Sequence, residues 1–171
     1  LVRIALVPGK RGSGNRIDNL LSSENIPVEY HEAIEESLRE AMMSGVLNSY
    51  PVVDVEVRLI GGGYREGESS AQGYRIAAAT AFRDGCRAAD PVMLEPIMTV
   101  DVITPGEFVG DVIGDIHARR GEVLAVNPKG PVTEVKANVP LRAMFGYSTD
   151  LRSATQGRAV FTMIFAEYNK A

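Results

Sequence analysis

The sequence predicts an α+β protein built from two small two-layer α/β units, and three observations predict it. Apolar residues alternate in Val2, Ile4 and Leu6 and again in Val53, Val55, Val57 and Leu59, the period of strands with one covered face. Between them Tyr30, Ile34, Leu38 and Ala41 recur every three to four residues, the period of a helix. The second half holds a weak internal repeat, in which Pro105, Gly110 and Gly121 return as Pro140, Gly146 and Gly157 with the same spacing between the glycines.

The first element, Leu1–Val7, is too short and too β-like for a signal peptide, and without an initiator Met it reads as a strand entered part-way through a longer protein. The following Gly9-Lys10-Arg11-Gly12-Ser13-Gly14 looks like a phosphate loop but fails as one. That loop needs Gly-Lys followed by Ser or Thr, whose hydroxyl reaches magnesium, and here Arg11 follows the lysine. A basic turn is the better description. The helix after it ends at Gly45, a residue suited to a helix stop, and its outer face carries Glu32, Glu35, Glu36, Arg39 and Glu40, a solvated face.

The strand through Leu59 runs into Gly61-Gly62-Gly63-Tyr64-Arg65-Glu66-Gly67-Glu68. Read locally, this is either a plain hairpin-like connection or an exposed, flexible tip, in which Tyr64 stacks on a base and Arg65 forks onto a phosphate. A second helix follows, with Ser69 and Gln72 at capping-box spacing. Its alanine-dense run from Ile76 to Ala81, continued by Phe82, predicts the most buried helix of its unit. Cys86 near its end is a packing residue, since no His is paired with it in the sequence. Ala88-Ala89-Asp90-Pro91 then punctuates the chain and sets the expected boundary, with units 1–89 and 90–171.

In the second half, strands are expected at Ile97–Ile103, Val123–Val126, Val132–Val139 and Ala159–Phe165. Each copy of the repeat has a proline near the first helical turn and a glycine just past the last. The order βαββαβ is that of a ferredoxin-like split fold. The nearly unbroken apolar run Val160–Phe165 predicts a central strand.

Composition excludes several function classes. No apolar run approaches the roughly 20 residues that span a bilayer. A single cysteine cannot form an internal disulfide, so a reducing cytoplasm is the expected location. A net charge of −4 argues against gripping naked nucleic acid by charge alone. No catalytic set or metal spacing is present, and His31 and His117 read as structural or solvent-facing. A ferredoxin-like acylphosphatase is disfavoured, because Thr104-Pro105-Gly106-Glu107 offers an acid where that chemistry needs an arginine. Arg119 and Arg120 end a helix, where their positive charge serves the helix dipole and capping.

Long stretches, in order, resemble the last two domains, IV and V, of the elongation factor G family. Among them are Tyr50-Pro51-Val52-Val53-Asp54-Val55, Asp90-Pro91-Val92-Met93-Leu94-Glu95-Pro96-Ile97-Met98 and Gly110-Asp111-Val112-Ile113-Gly114-Asp115. Others are Ala118-Arg119-Arg120-Gly121, Met144-Phe145-Gly146-Tyr147 and Thr149-Asp150-Leu151-Arg152-Ser153 with Thr155-Gln156-Gly157-Arg158. The resemblance implies a first unit with the domain IV fold, a ribosomal-protein fold with a βαβ crossover, lacking its N-terminal strand and first tip loop. It implies a module that promotes GTP-dependent movement of tRNA and mRNA on the ribosome. Its implied partners are the small-subunit decoding region, tRNA–mRNA, the large-subunit stalk base, the sarcin-ricin region and the N-terminal GTPase domain of the same protein. GTP and Mg belong to that parent protein; this chain needs no cofactor and is not itself an enzyme.

By the same resemblance, Gly62, Gly63, Tyr64, Arg65, Glu66 and Gly67 form the tip facing tRNA, His117, Arg119 and Arg120 meet ribosomal RNA, and Lys10 and Arg11 lie at the far end. Where the family has Tyr-His-x-Val-Asp-Ser-Ser, this chain has Tyr64-Arg65-Glu66-Gly67-Glu68-Ser69-Ser70, so a permanent charge replaces a titratable ring. In the second unit His117 stands where the family has Asn. The alternative role is that of a paralogous factor for ribosome recycling, or for ribosome protection of the tetracycline-resistance type.

Overall fold

Alternation, helical period and repeat each produce the element they imply. The computed structural model describes Leu1–Ala171, whose contacts divide it into a unit of Leu1–Met93 and a unit of Leu94–Ala171. The first contains β1 (Val2–Pro8), β2 (Arg16–Asn19), α1 (His31–Ser44), β3 (Val55–Gly62) and α2 (Ala71–Ala88). Its sheet runs β1-β3-β2, with β1 antiparallel and β2 parallel to β3, so β2-α1-β3 is the βαβ crossover. Strand β2 has only four residues, too few to show an alternation.

Val57 and Leu59 of β3 meet Ile34 and Leu38 of α1 and Ala78 and Phe82 of α2 in one core, all fully buried. Burying such a side chain contributes about 1.5–3 kcal/mol. Helix α1 stops where expected: Gly45, at φ +67°, bonds its N–H back to the Ala41 carbonyl. Its acidic face is only partly given to solvent, because Glu36 pairs with Arg75 of α2 at 2.7 Å while Glu35 pairs with Arg39.

Two expectations for α2 fail. Ser70, not Ser69, caps the helix, accepting the Gly73 N–H at 3.1 Å, while the Ser69 hydroxyl accepts from the Arg65 amide. Position N3 is then Gly73, which has no side chain to complete a capping box. Nor is α2 the most buried helix: it buries Tyr74, Ala78, Phe82 and Cys86, whereas the shorter α1 buries Ile34, Ser37, Leu38, Ala41 and Met42. The alanines narrow its contact face without covering the other one. Cys86 is a packing residue, and burial pushes its thiol pKa up.

The second unit contains β4 (Leu94–Pro105), α3 (Val109–Ala118), β5 (Glu122–Lys129), β6 (Val132–Pro140), α4 (Tyr147–Ala154) and β7 (Val160–Lys170). The sheet order β5-β6-β4-β7, with every neighbouring pair antiparallel, is the ferredoxin-like arrangement that βαββαβ implies. Val100 and Val102 of β4 and Val135, Ala137 and Val139 of β6 pack with Val112, Ile116, Tyr147 and Leu151 of the helices.

The central strands are therefore β4 and β6, which corrects the reading of Val160–Phe165. Strand β7 lies at the sheet edge, with Val160, Ile164 and Phe165 more than half exposed. An apolar run records affinity for a covered surface and carries no information about which strand sits in the middle.

Both helices of the repeat close alike. Gly121 bonds its N–H to the Ile116 carbonyl and Arg120 bonds to that of His117, while Gly157 bonds to Arg152. Both share the longer bond of the Schellman motif; Arg120 (φ 61°) is left-handed in the first, and both Gln156 (φ 53°) and Gly157 (φ 74°) are in the second. Gly121 is required for space instead. A Cβ there would lie 2.7 Å from Ile116 Cγ2 and 2.8 Å from Val139 Cγ2.

Candidate nucleic-acid interface

Register places the two glycine-rich segments of the first unit at opposite ends of one strand pair. Val2 faces Gly62 and Pro8 faces Val55, so Gly9–Gly14 leaves one end of the pair and Gly63–Glu68 leaves the other.

At the second end, Gly62 is needed because the chain is crowded. A Cβ there would lie 2.4 Å from Ile26 Cδ1 and 2.6 Å from the Leu1 carbonyl oxygen, whereas Gly63 is open on that count. Gly63 donates its N–H to the Leu1 carbonyl at 3.0 Å and accepts the Tyr74 hydroxyl proton at 3.0 Å. The Tyr64 ring, 41% exposed, lies 6.2 Å from the ring of Tyr30, which in turn lies 5.0 Å from that of Tyr74. The Glu29 carboxylate, bonded to the Tyr30 hydroxyl, keeps that phenol above its ordinary pKa, with burial and the neighbouring tyrosines adding to the shift.

The tip then closes on itself. Glu68 and Ser69 donate their amides to the Arg65 carbonyl, the Arg65 amide donates to the Ser69 hydroxyl, and Gly67 takes φ +74°. The Arg65 guanidinium pairs with Glu68 at 3.3 Å, both ends largely in water. An exposed pair of this kind holds little energy, so the cation can exchange its partner for a phosphate oxygen. The tip is thus an ordered turn that presents an aromatic face beside a forked cation.

At the opposite end the glycine-rich segment is an anion cradle already filled. Gly12 and Gly14 donate their amides to the two carboxylate oxygens of Asp54, at 2.9 and 2.8 Å, and Gly9 donates to the Asp54 carbonyl at 2.7 Å. Asp54 reaches them from a left-handed conformation, φ 58°. Backbone amides converging on one anion make a nest, and here the anion is internal.

In the second unit the three sequence-predicted residues separate. Arg119 is an internal brace, with a side chain only 12% exposed. Its Nε bonds Asp115 at 2.8 Å, one Nη donates to the carbonyls of Ala143 and Phe145, and the other pairs with Asp150. Its guanidinium lies 5.0 Å from the centre of the Tyr147 ring. Burial works against its charge, but Asp115 and Asp150 outweigh that and hold its pKa above the ordinary value. Burial, with Asp115 adding, pushes the Tyr147 phenol up to about 12. His117 and Arg120 remain exposed, Arg120 on the left-handed turn. Of the two open readings for this arginine pair, Arg119 takes the structural one.

Residues 2–90 match the sequence profile of elongation factor G, domain IV, and residues 92–171 match that of the elongation factor G C-terminus. The chain belongs to the elongation factor G family.

Elongation factor G 2 of Syntrophus aciditrophicus (strain SB) is 55% identical over 99% of this chain and 25% of its own length. Elongation factor G of Aquifex pyrophilus is 48% identical over 98% of this chain and 24% of its own. A crystal structure from Thermus thermophilus superposes with a TM-score of 0.88 at 36% identity, over 99% of this chain and 25% of that one. The chain therefore spans about a quarter of the length of these relatives.

The one segment that resembles a phosphate loop has its amides committed to Asp54, and no group of three or more His, Cys, Asp and Glu side chains is placed to hold a metal. No helix is long and apolar enough to cross a membrane. The sequence reading missed Asp54, Tyr30 and Tyr74. Asp54 lies 42 residues from Gly12, so only the β1–β3 register could have revealed the contact. Tyr30 reads as a member of an apolar stripe, and nothing in the local pattern marks Tyr74.

Proposed function

We propose that this chain is the ribosome- and tRNA-contacting module of a translational GTPase, which promotes GTP-dependent movement of tRNA and mRNA in the full-length protein. The observation that carries the reading is the match of both halves, in order, to domain IV and the C-terminus of elongation factor G. The tip gives it chemistry: Tyr64 offers a stacking face and Arg65 a permanent bidentate donor for phosphate. Glu66 and Glu68 beside them keep local charge low, so the contact is guided by shape.

In this reading the tip meets the tRNA–mRNA pair in the small-subunit decoding region. His117 and Arg120 face ribosomal RNA near the stalk base and sarcin-ricin region of the large subunit. GTP and Mg are held by an N-terminal GTPase domain of the same protein, the module itself hydrolyses nothing, and the assembly works in the cytoplasm.

The test is single-round translocation by the full-length factor. Arg65→Ala should slow it about tenfold, the effect of losing one charge-assisted contact. An unchanged rate would remove the tip from the mechanism. A factor that splits ribosomes but does not translocate would replace this role with recycling.

A further inference from the structure

Two successive residues of the tip are tied to tyrosines in the body of the first unit, and the next is held by the turn's own last residues. Gly63 is bonded from both sides, by the Leu1 carbonyl and by the Tyr74 hydroxyl. Tyr64 lies against Tyr30, and the Arg65 amide is held by the Ser69 hydroxyl ahead of α2. The rings of Tyr74, Tyr30 and Tyr64 form a chain from the core to the surface, from 3% exposed at Tyr74 to 41% at Tyr64.

Packing alone does not account for this arrangement. Tyr74 sits at a core position where phenylalanine would fill the same space, and its hydroxyl is used only to reach the backbone of the tip. Tyr30 is a half-buried residue at the margin of the core, and its ring is the one that joins the other two. A loop that must be ordered on binding loses part of its interaction energy to that ordering, and a loop already held does not.

We propose that Tyr30 and Tyr74 are positioning residues, which hold Tyr64 and Arg65 in the geometry that meets RNA. The proposal rests on the reading of the tip as an RNA contact. In the full-length factor, amide hydrogen exchange over Gly63–Glu66 measures the hold without a ribosome. Tyr30→Ala should raise that exchange about tenfold, the equivalent of one aromatic pair. Tyr74→Phe, which removes only the hydroxyl, should raise it about fivefold. Tyr30→Phe keeps the ring and should stay within about twofold of the parent.

Single-round translocation at saturating factor should fall about fivefold in Tyr30→Ala and return with Tyr30→Phe, the half-saturating concentration changing less than the rate. Unchanged exchange in Tyr30→Ala overturns the proposal whatever the ribosome assays give. Faster exchange with an unchanged translocation rate, in a factor that Arg65→Ala does slow, overturns the positioning role. If Arg65→Ala is itself without effect, the reading of the tip falls and takes the functional half of this proposal with it, while the exchange result still decides whether the tyrosines hold the loop.

Discussion

Two segments of the first unit, Gly9–Gly14 and Gly61–Glu68, share glycine, arginine and a position at the end of the β1–β3 pair, yet they are built for opposite ends. In the first, converging amides are spent on the carboxylate of Asp54 and the segment is locked to its own strand. In the second, the Gly63 amide goes to the Leu1 carbonyl, those of Arg65 and Glu68 bond within the turn, and the side chains of Tyr64 and Arg65 are exposed. Glycine and positive charge in a sequence therefore do not identify an anion site. What decides is whether the donors already have a partner inside the fold.

A short series of variants would break or sharpen that contrast. The largest effect is expected at the tip, where Gly62→Ala places a Cβ 2.4 Å from Ile26 and 2.6 Å from backbone at Leu1. It should cost about 2–3 kcal/mol in urea unfolding, against a near-neutral Gly63→Ala. Asp54→Ala should cost about 1–2 kcal/mol by the same measurement, since it leaves the Gly12 and Gly14 amides without their acceptor and puts alanine at φ 58°. A neutral Asp54→Ala would mean that the cradle is not a structural lock.

Next comes Arg65→Ala, whose tenfold loss in translocation amounts to about 1.4 kcal/mol. The smallest effect belongs to Lys10→Ala combined with Arg11→Ala. These residues lie about 20 Å from the tip along β1, beyond a screening length of about 10 Å, so translocation should stay within about twofold. A loss matching that of Arg65→Ala would erase the distinction between the two ends.

A pH series gives an independent reading of the second unit. Tyr147 has its folded pKa raised to about 12 from 10.0. Its neutral form is the one the fold favours, so that stabilisation is fully present below pH ~10 and is lost as pH rises from there through ~12. Tyr147→Phe should flatten the alkaline limb of a thermal-unfolding profile.

Much of the fold was legible because local period and core position coincide in β1, β3, α1 and the βαββαβ repeat. Legibility ended where an outcome depends on a distant partner. The local pattern favours Ser69, with Gln72 at capping-box spacing, but the tip's amide claims the Ser69 hydroxyl and Ser70 caps the helix. The apolar run in β7 suits an edge as well as a centre. At the helix ends the two glycines serve different needs: Gly157 follows Gln156 in the left-handed turn, whereas Gly121 leaves that turn to Arg120 and yields room to Ile116 and Val139. The candidate site divides in the same way. Tyr64 and Arg65 stand out locally, whereas the commitment of Arg119 to Asp115, Asp150 and two carbonyls is set by α4 and the turn before it.

The sheltered thiol in α2 has a practical corollary. Cys86 is the chain's single cysteine, and burial with a raised pKa makes it a slow nucleophile toward maleimide dyes. The chain also has no tryptophan. A Glu66→Cys variant would thus carry one fast-reacting thiol at the tip, against a background nearly silent in both labelling chemistry and indole emission.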